Sequence, residues 1–180
     1  MAPLSLAAEY RVPKREIAAD VSFAGWSPKF GFVKALLAPP RREVRLFLNE
    51  RAQSRDGAER PSDLLNGEGE FLPTVDASRR VVLLQKDALM VLTVLAEDEF
   101  PQEEGAAGGP GPGMPIEVAL HDGSQIRGVL RFLMPEGKSR VVDFLNLPER
   151  FFAVRDGSWA HLVNKKAVVR VSIVGQEQGK

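Results

Sequence analysis

Histidine is the first residue type to examine for reactive chemistry, and this 180-residue chain has two. His121 and His161 each sit in an alternating strand-like run beside apolar neighbours. Neither has a second ligand at close spacing, so no metal site is expected. There is no cysteine, which excludes thiol nucleophiles, zinc fingers, iron–sulfur ligation and disulfide scaffolds. No Gly-x-Ser-x-Gly elbow and no His-Glu-x-x-His helix occurs. The glycines at 105–113 have no Lys-Ser/Thr after them and are not a phosphate loop. The expectation is a protein that is not an enzyme and needs no cofactor.

The polar residues that stand out do so because they recur. Residues 60–83 align with 140–163 at an offset of 80 without a gap, and seven of the 24 positions are identical. These include Asp63/Asp143, Asn66/Asn146, Phe71/Phe151 and Asp76/Asp156. One deletion then shifts the offset to 79, bringing Lys86 onto Lys165 and the run 89–94 onto 168–173. A fixed-period self-match describes architecture, here a tandem duplication. Asn66 and Asn146, and Lys86 and Lys165, are thus matching pairs, with Lys166 directly after the second lysine. Asp63 and Asp143 form a structural motif, in which a carboxylate takes a nearby backbone N–H to fix a bend. For the asparagines and lysines the plainer readings are turn formation and solvated turn charge.

Those residues must be held by strands. Ile116, Val118 and Leu120 alternate with polar or small residues, and Asp122-Gly123 follows as a dipeptide suited to a type I′ hairpin. Ile126 to Phe132, Arg140 to Asn146, Phe151 to Arg155, Trp159 to Val163 and Ala167 to Val174 continue the extended runs. Turns fall at Asp156-Gly157 and Asn164-Lys165-Lys166. This density of short strands without a helical period predicts an all-β chain of small closed barrels, each of about five strands. In the first half the clear strands are Phe71–Val75, Arg80–Leu84 and Ala88–Leu95. Val44, Leu46 and Leu48 match the strand around Leu130–Phe132. Ile17–Phe23 is expected as the opening strand, with Phe30–Pro40 an insertion. Residues 1–14 read either as a short helix or as an arm.

Between the halves, Glu99 to Pro115 is dense in glycine and proline and reads as a linker. The division is therefore a first barrel at 15–98, a linker at 99–114 and a second barrel at 115–175. Phe71, Leu72, Phe151 and Phe152 are expected to be buried on opposite sides of their strands.

Lysine plus arginine and aspartate plus glutamate each total 24, so the net charge is zero. Residues 115–180 alone carry net +3, from ten basic and seven acidic side chains. A neutral chain does not resemble a nucleic-acid neutraliser or a membrane-surface peptide. The longest nearly apolar run, Ala88 to Ala96, is too short to cross a bilayer. The N-terminal apolar stretch has no basic region before it, so a cytoplasmic protein without membrane association is expected.

The repeated motif resembles an uncharacterised bacterial family of small β-barrel domains carrying an Arg-Leu-Ser-Asp-Phe-Leu-Asn, then Phe-Leu-Pro, pattern. Here the pattern stands as Arg60-Pro-Ser-Asp-Leu-Leu-Asn66 with Phe71-Leu-Pro73, and as Arg140-Val-Val-Asp-Phe-Leu-Asn146 with Val163-Asn-Lys165. More distantly each copy is similar to an Sm-like barrel. Gly128-Val-Leu130, Asp143-Phe-Leu-Asn146 and Phe151–Val154 follow the order of the first Sm motif, and Asn164-Lys-Lys-Ala-Val168 echoes the second. A longer loop separates Leu130 from Asp143 than in Sm proteins, and the second-motif Arg-Gly is missing. The resemblance covers roughly 42–95 and 115–174. It implies an RNA role for Asn66, Asn146, Lys86, Lys165 and Lys166. Two functions follow as expectations. One is a non-catalytic scaffold or protein-interaction module that binds a partner or itself through strand edges, with a dimer as the first guess. The other is an Sm-like RNA-binding protein that assembles into an oligomer.

Overall fold

The computed structural model describes residues 30–38, 42–49, 58–100, 113–132 and 140–175. Ten strands run through them: β1 (Phe30–Ala38), β2 (Arg42–Asn49), β3 (Phe71–Asp76), β4 (Val81–Gln85), β5 (Val91–Leu95), β6 (Met114–Leu120), β7 (Gln125–Leu130), β8 (Phe151–Asp156), β9 (Trp159–Asn164) and β10 (Val168–Ile173). Three short helices interrupt them, α1 (Pro61–Asn66), α2 (Ala96–Glu99) and α3 (Val141–Leu145). A single 3₁₀ turn precedes β5 at Lys86–Ala88, and another precedes β10 at Lys165–Ala167. The fold is mostly β, as the alternating sequence requires.

The strands form one antiparallel ladder in the order β10-β6-β7-β8-β9-β5-β1-β2-β3-β4. Each half contributes its strands in the same spatial order: fifth, first, second, third, fourth. The ladder is linear, with β10 and β4 at its two ends, where separate closed barrels were expected. The halves meet where β5 pairs with β9, in the register Val91↔Val163 through Leu95↔Trp159.

Alternation decides what each joining strand faces. Leu92 and Val94 of β5 enter the core of the first half, with Val44, Leu46, Leu48, Leu65 and Leu72. Val91 turns the other way, into a second core with Ile116, Val118, Leu120, Leu130, Phe152 and Val154. β9 does the reverse. Its Ala160 and Leu162 sit in the first core and its Val163 in the second. Phe151 of β8 also lies in the first core, so each half completes the other.

Several expectations are corrected. Residues 30–38, expected within an insertion, form β1, the first described strand, which pairs with β2 over eight positions and with β5. Residues 1–14 and 17–23 lie outside the described residues. Residues 140–146 hold a helix and not an extended run. Val141 and Val142 favour a strand, but the Arg140 carbonyl accepts from Phe144 N at 3.2 Å, and the Arg140 guanidinium grips Asp143 at 3.0 and 3.2 Å. Phe144 then stacks on Phe132 at 4.8 Å between ring centres, seating α3 against the chain after β7. In α1, Pro61 occupies the first helical turn, where its missing N–H costs nothing.

Both described ends of the segment expected as a linker, 99–100 and 114–115, belong to elements or a core. Glu99 closes α2, Phe100 packs against the first core, and Met114 and Pro115 belong to β6. The β6–β7 turn is not type I′, because only Gly123 has positive φ, at 85°. Leu120 O accepts from Gly123 N and Leu120 N donates to Ser124 O, so the glycine sits in a bulge after His121-Asp122. Phe71, expected inside, is exposed, because nothing in the described chain lies beyond it as Phe151 lies beneath the first half.

Candidate functional site

Asn66 ends α1 and reaches across to the second half. Its carboxamide oxygen accepts from Phe151 N at 2.8 Å and its nitrogen donates to Phe151 O at 3.1 Å. A side-chain amide thus meets a backbone amide edge to edge and pins the start of β8 to the first half. Asn146, at the matching position of α3, is exposed.

Lys86 is almost wholly buried, yet it carries an amine. Its Nζ donates to Leu64 O at 2.8 Å and Gly67 O at 2.9 Å, the carbonyls left unpaired at the end of α1. Burial pushes its pKa down. Lys165 repeats the device, donating to Leu147 O at 2.7 Å beyond α3, and its pKa is also lowered by burial. Lys166 is exposed and forms an ion pair with Asp87 of the first half at 2.6 Å. That bond, more than the neighbouring Arg150, holds the Asp87 carboxyl below its ordinary range. Asp63 accepts from Arg60 N at 3.0 Å at the head of α1, and Asp143 grips the Arg140 side chain at the head of α3. Both acids therefore shape a helix start.

Asn164 is named in the sequence only within a turn and a motif echo, not as a functional residue. It is buried. Its Nδ2 donates to Leu89 O at 2.8 Å, its backbone N to Met90 O at 2.9 Å, and its Oδ1 accepts from Lys166 N at 2.9 Å. A polar residue directly after the apolar pair Leu162-Val163 and just before two lysines was the available signal. No metal site is expected at His161. Its ring is buried and hydrogen-bonded through Nδ1 to Thr93 Oγ1 at 2.9 Å, directly across the β5–β9 ladder. Burial lowers its pKa, against a smaller upward pull from Asp156.

Asn66, His161, Asn164 and Lys166 bond across the seam between the halves, while Lys86, Lys165, Asp63 and Asp143 bond within their own half. Among the described residues no three His, Asp or Glu side chains are placed to hold a metal ion. Nor is any helix long and apolar enough to cross a membrane.

The surface with unused bonding capacity lies at the ends of the sheet. Among the described residues, β4 pairs with β3 alone and β10 with β6 alone. Each outer edge offers a row of backbone N–H and C=O groups. β4 reads VVLLQ without a charge, and β10 carries only Arg170. Exposed apolar side chains lie along both: Val81 and Leu83 on β4, Val169 and Ile173 on β10. An uncharged edge of this kind can add a further strand. The chain matches no family model, no curated protein and no solved structure, so the reading of these edges rests on their own chemistry.

Proposed function

We propose that this chain is a non-catalytic protein built from two tandem Sm-like β-barrel copies, acting as a protein-interaction or scaffold module through its sheet edges. The observation that carries the reading is the pair of apolar, almost uncharged edges β4 and β10 at the two ends of one ladder. Natural sheets usually protect such edges with lysine, proline or a covering segment. Support for two copies comes from the matching strand order of the halves and from the shared Lys-to-helix-end bonds of Lys86 and Lys165.

The other reading, an Sm-like RNA-binding oligomer, draws on the same architecture but has less to bind with. Lys86 and Lys165 give their ammonium groups to backbone carbonyls and Lys166 gives its own to Asp87. RNA affinity rests largely on free basic side chains.

The test is an affinity pull-down with the full chain from its source cells, identifying both protein and RNA, beside the ultraviolet absorbance ratio of the purified protein. The expected result is a protein-only absorbance ratio and retained proteins that are lost when Leu83 and Ile173 are both replaced by glutamate. Co-purifying RNA that survives those two substitutions, with no edge-dependent protein, sinks the reading.

A further inference from the structure

The seam inside the chain and the two ends of its sheet are built from matching positions. The seam joins the fifth strand of the first half, β5, to the fourth strand of the second, β9. Among the described residues the open ends are the other two members of that set: the fifth strand of the second half, β10, and the fourth strand of the first, β4. One chain therefore contains one completed junction and both halves of a second.

The side chains follow the same rule. Phe71 is 58% exposed, while Phe151, its counterpart at the seam, is 2% exposed. Leu83 is 64% exposed against 0% for Leu162, which lies 79 residues on. Ile173 is 40% exposed against 0% for Val94, 79 residues back. Val81 and Val169 are likewise exposed where their counterparts Ala160 and Met90 are buried. Seven large apolar side chains are exposed among the described residues, and only Val142 lies outside β3, β4, β10 and the residue that follows β10. The polar clasp has its spare parts too. Asn146 and Gln85, which match Asn66 and Asn164, are both exposed.

We propose that β10 of one copy pairs antiparallel with β4 of the next, repeating between chains the β5–β9 junction within each chain. Applying the 79-residue offset to the seam register sets Arg170 opposite Leu84, Val171 opposite Leu83, Ser172 opposite Val82 and Ile173 opposite Val81. In that register Phe71 enters the neighbour's second core and Asn146 of the neighbour meets the Phe71 backbone. The two edges differ, so the contact is heterologous and chains join head to tail, in a ring where the rotation closes and a filament where it does not. The proposal rests on the edge-mediated reading above and names a second copy as the partner.

The experiment is light scattering coupled to size exclusion, over a concentration series, on wild type, Leu83→Glu and Ile173→Glu. Both side chains are exposed in the single chain, so circular dichroism is expected to stay native. Should either variant lose its fold, Val81→Glu and Val174→Glu replace them. Wild type is expected at two or more times the chain mass of 19.7 kDa. Each variant alone is expected as a monomer. An equimolar mixture is expected to stop at two chains, because one variant keeps β10 and the other keeps β4. A wild-type monomer, its edges open or covered by its own chain, overturns the proposal. So does either variant self-associating alone, which is the mark of an isologous β4–β4 or β10–β10 contact. The edge reading fails separately, if the double variant retains from lysate the same proteins as wild type.

Discussion

Asn66 and Phe151 are 85 residues apart in sequence, and the carboxamide of one makes two hydrogen bonds to the backbone of the other. It links the halves beside the β5–β9 ladder. Removing it leaves the N–H and C=O of Phe151 without that partner at a half-buried seam. Asn66→Ala is therefore expected to destabilise the chain by about 1–3 kcal/mol. Asn146→Ala, at the exposed matching position, is expected to stay within about 0.5 kcal/mol. Urea unfolding at dilution, on an Ile173→Glu background, measures both. Equal costs would mean that the amide acts within its own helix.

Phe151 and Phe71 are the same residue in the two halves with opposite surroundings. Phe151→Ala is expected to cost about 3–5 kcal/mol, because its ring fills the first core from the second half. Phe71→Ala is expected to cost less than about 1 kcal/mol in the single chain. Urea midpoints at constant slope decide it. A small loss at Phe151 would place the ring outside the core.

Glu99 supplies a pH dependence. Its carboxylate is buried at the end of α2, accepting from Ser62 N at 2.9 Å, and burial raises its pKa from 4.5 to about 7. Between those values the folded chain binds more protons at this site than the unfolded chain, so stability falls as pH rises. Glu99→Gln is expected to remove that fall, changing the pH 5 to pH 8 difference by on the order of 3 kcal/mol. His161 works in the opposite sense. Its pKa is lowered by burial, so it contributes a rise of stability with pH below its ordinary value of 6.5. Subtracting the Glu99→Gln curve from wild type isolates the glutamate. Parallel curves would exclude it.

Two backbone positions should respond with opposite signs. A Cβ at Gly128 would stand 2.3 Å from Arg155 O and 2.8 Å from a Val154 methyl, so β7 and β8 cannot approach as they do with a side chain there. Gly128→Ala is expected to cost about 1–3 kcal/mol. Arg79 closes the β3–β4 turn at φ 60°, the left-handed region that glycine enters freely. Arg79→Gly is expected to be neutral or to stabilise by up to about 1 kcal/mol. Thermal unfolding of the two variants checks both signs.

Much of this could be read along the chain. Alternation at Ile116, Val118 and Leu120, the turn glycines at 123 and 157, and the 79- and 80-residue offsets are local or periodic signals. They determined a β-rich chain whose two halves share residues at matching positions. The Asp63 bond to the Arg60 backbone was legible for the same reason, since a carboxylate three residues from its partner needs no tertiary contact; Asp143 instead holds the Arg140 guanidinium. The helices at 61–66 and 141–145 were not, because five or six residues cannot display a helical period and the valines of α3 favour a strand.

What each repeated residue does was decided only in three dimensions. Lys86 and Lys165 look like solvated turn lysines until the helix ends they cap are brought beside them. Phe71 and Phe151 carry the same side chain in the same motif. One is covered and the other bare because β9 and β8 come to rest against the first half, while among the described residues no strand pairs with the outer edge of β4. Long-range strand pairing sets that difference, and a strand's outer edge carries no mark in its own sequence of which strand will meet it.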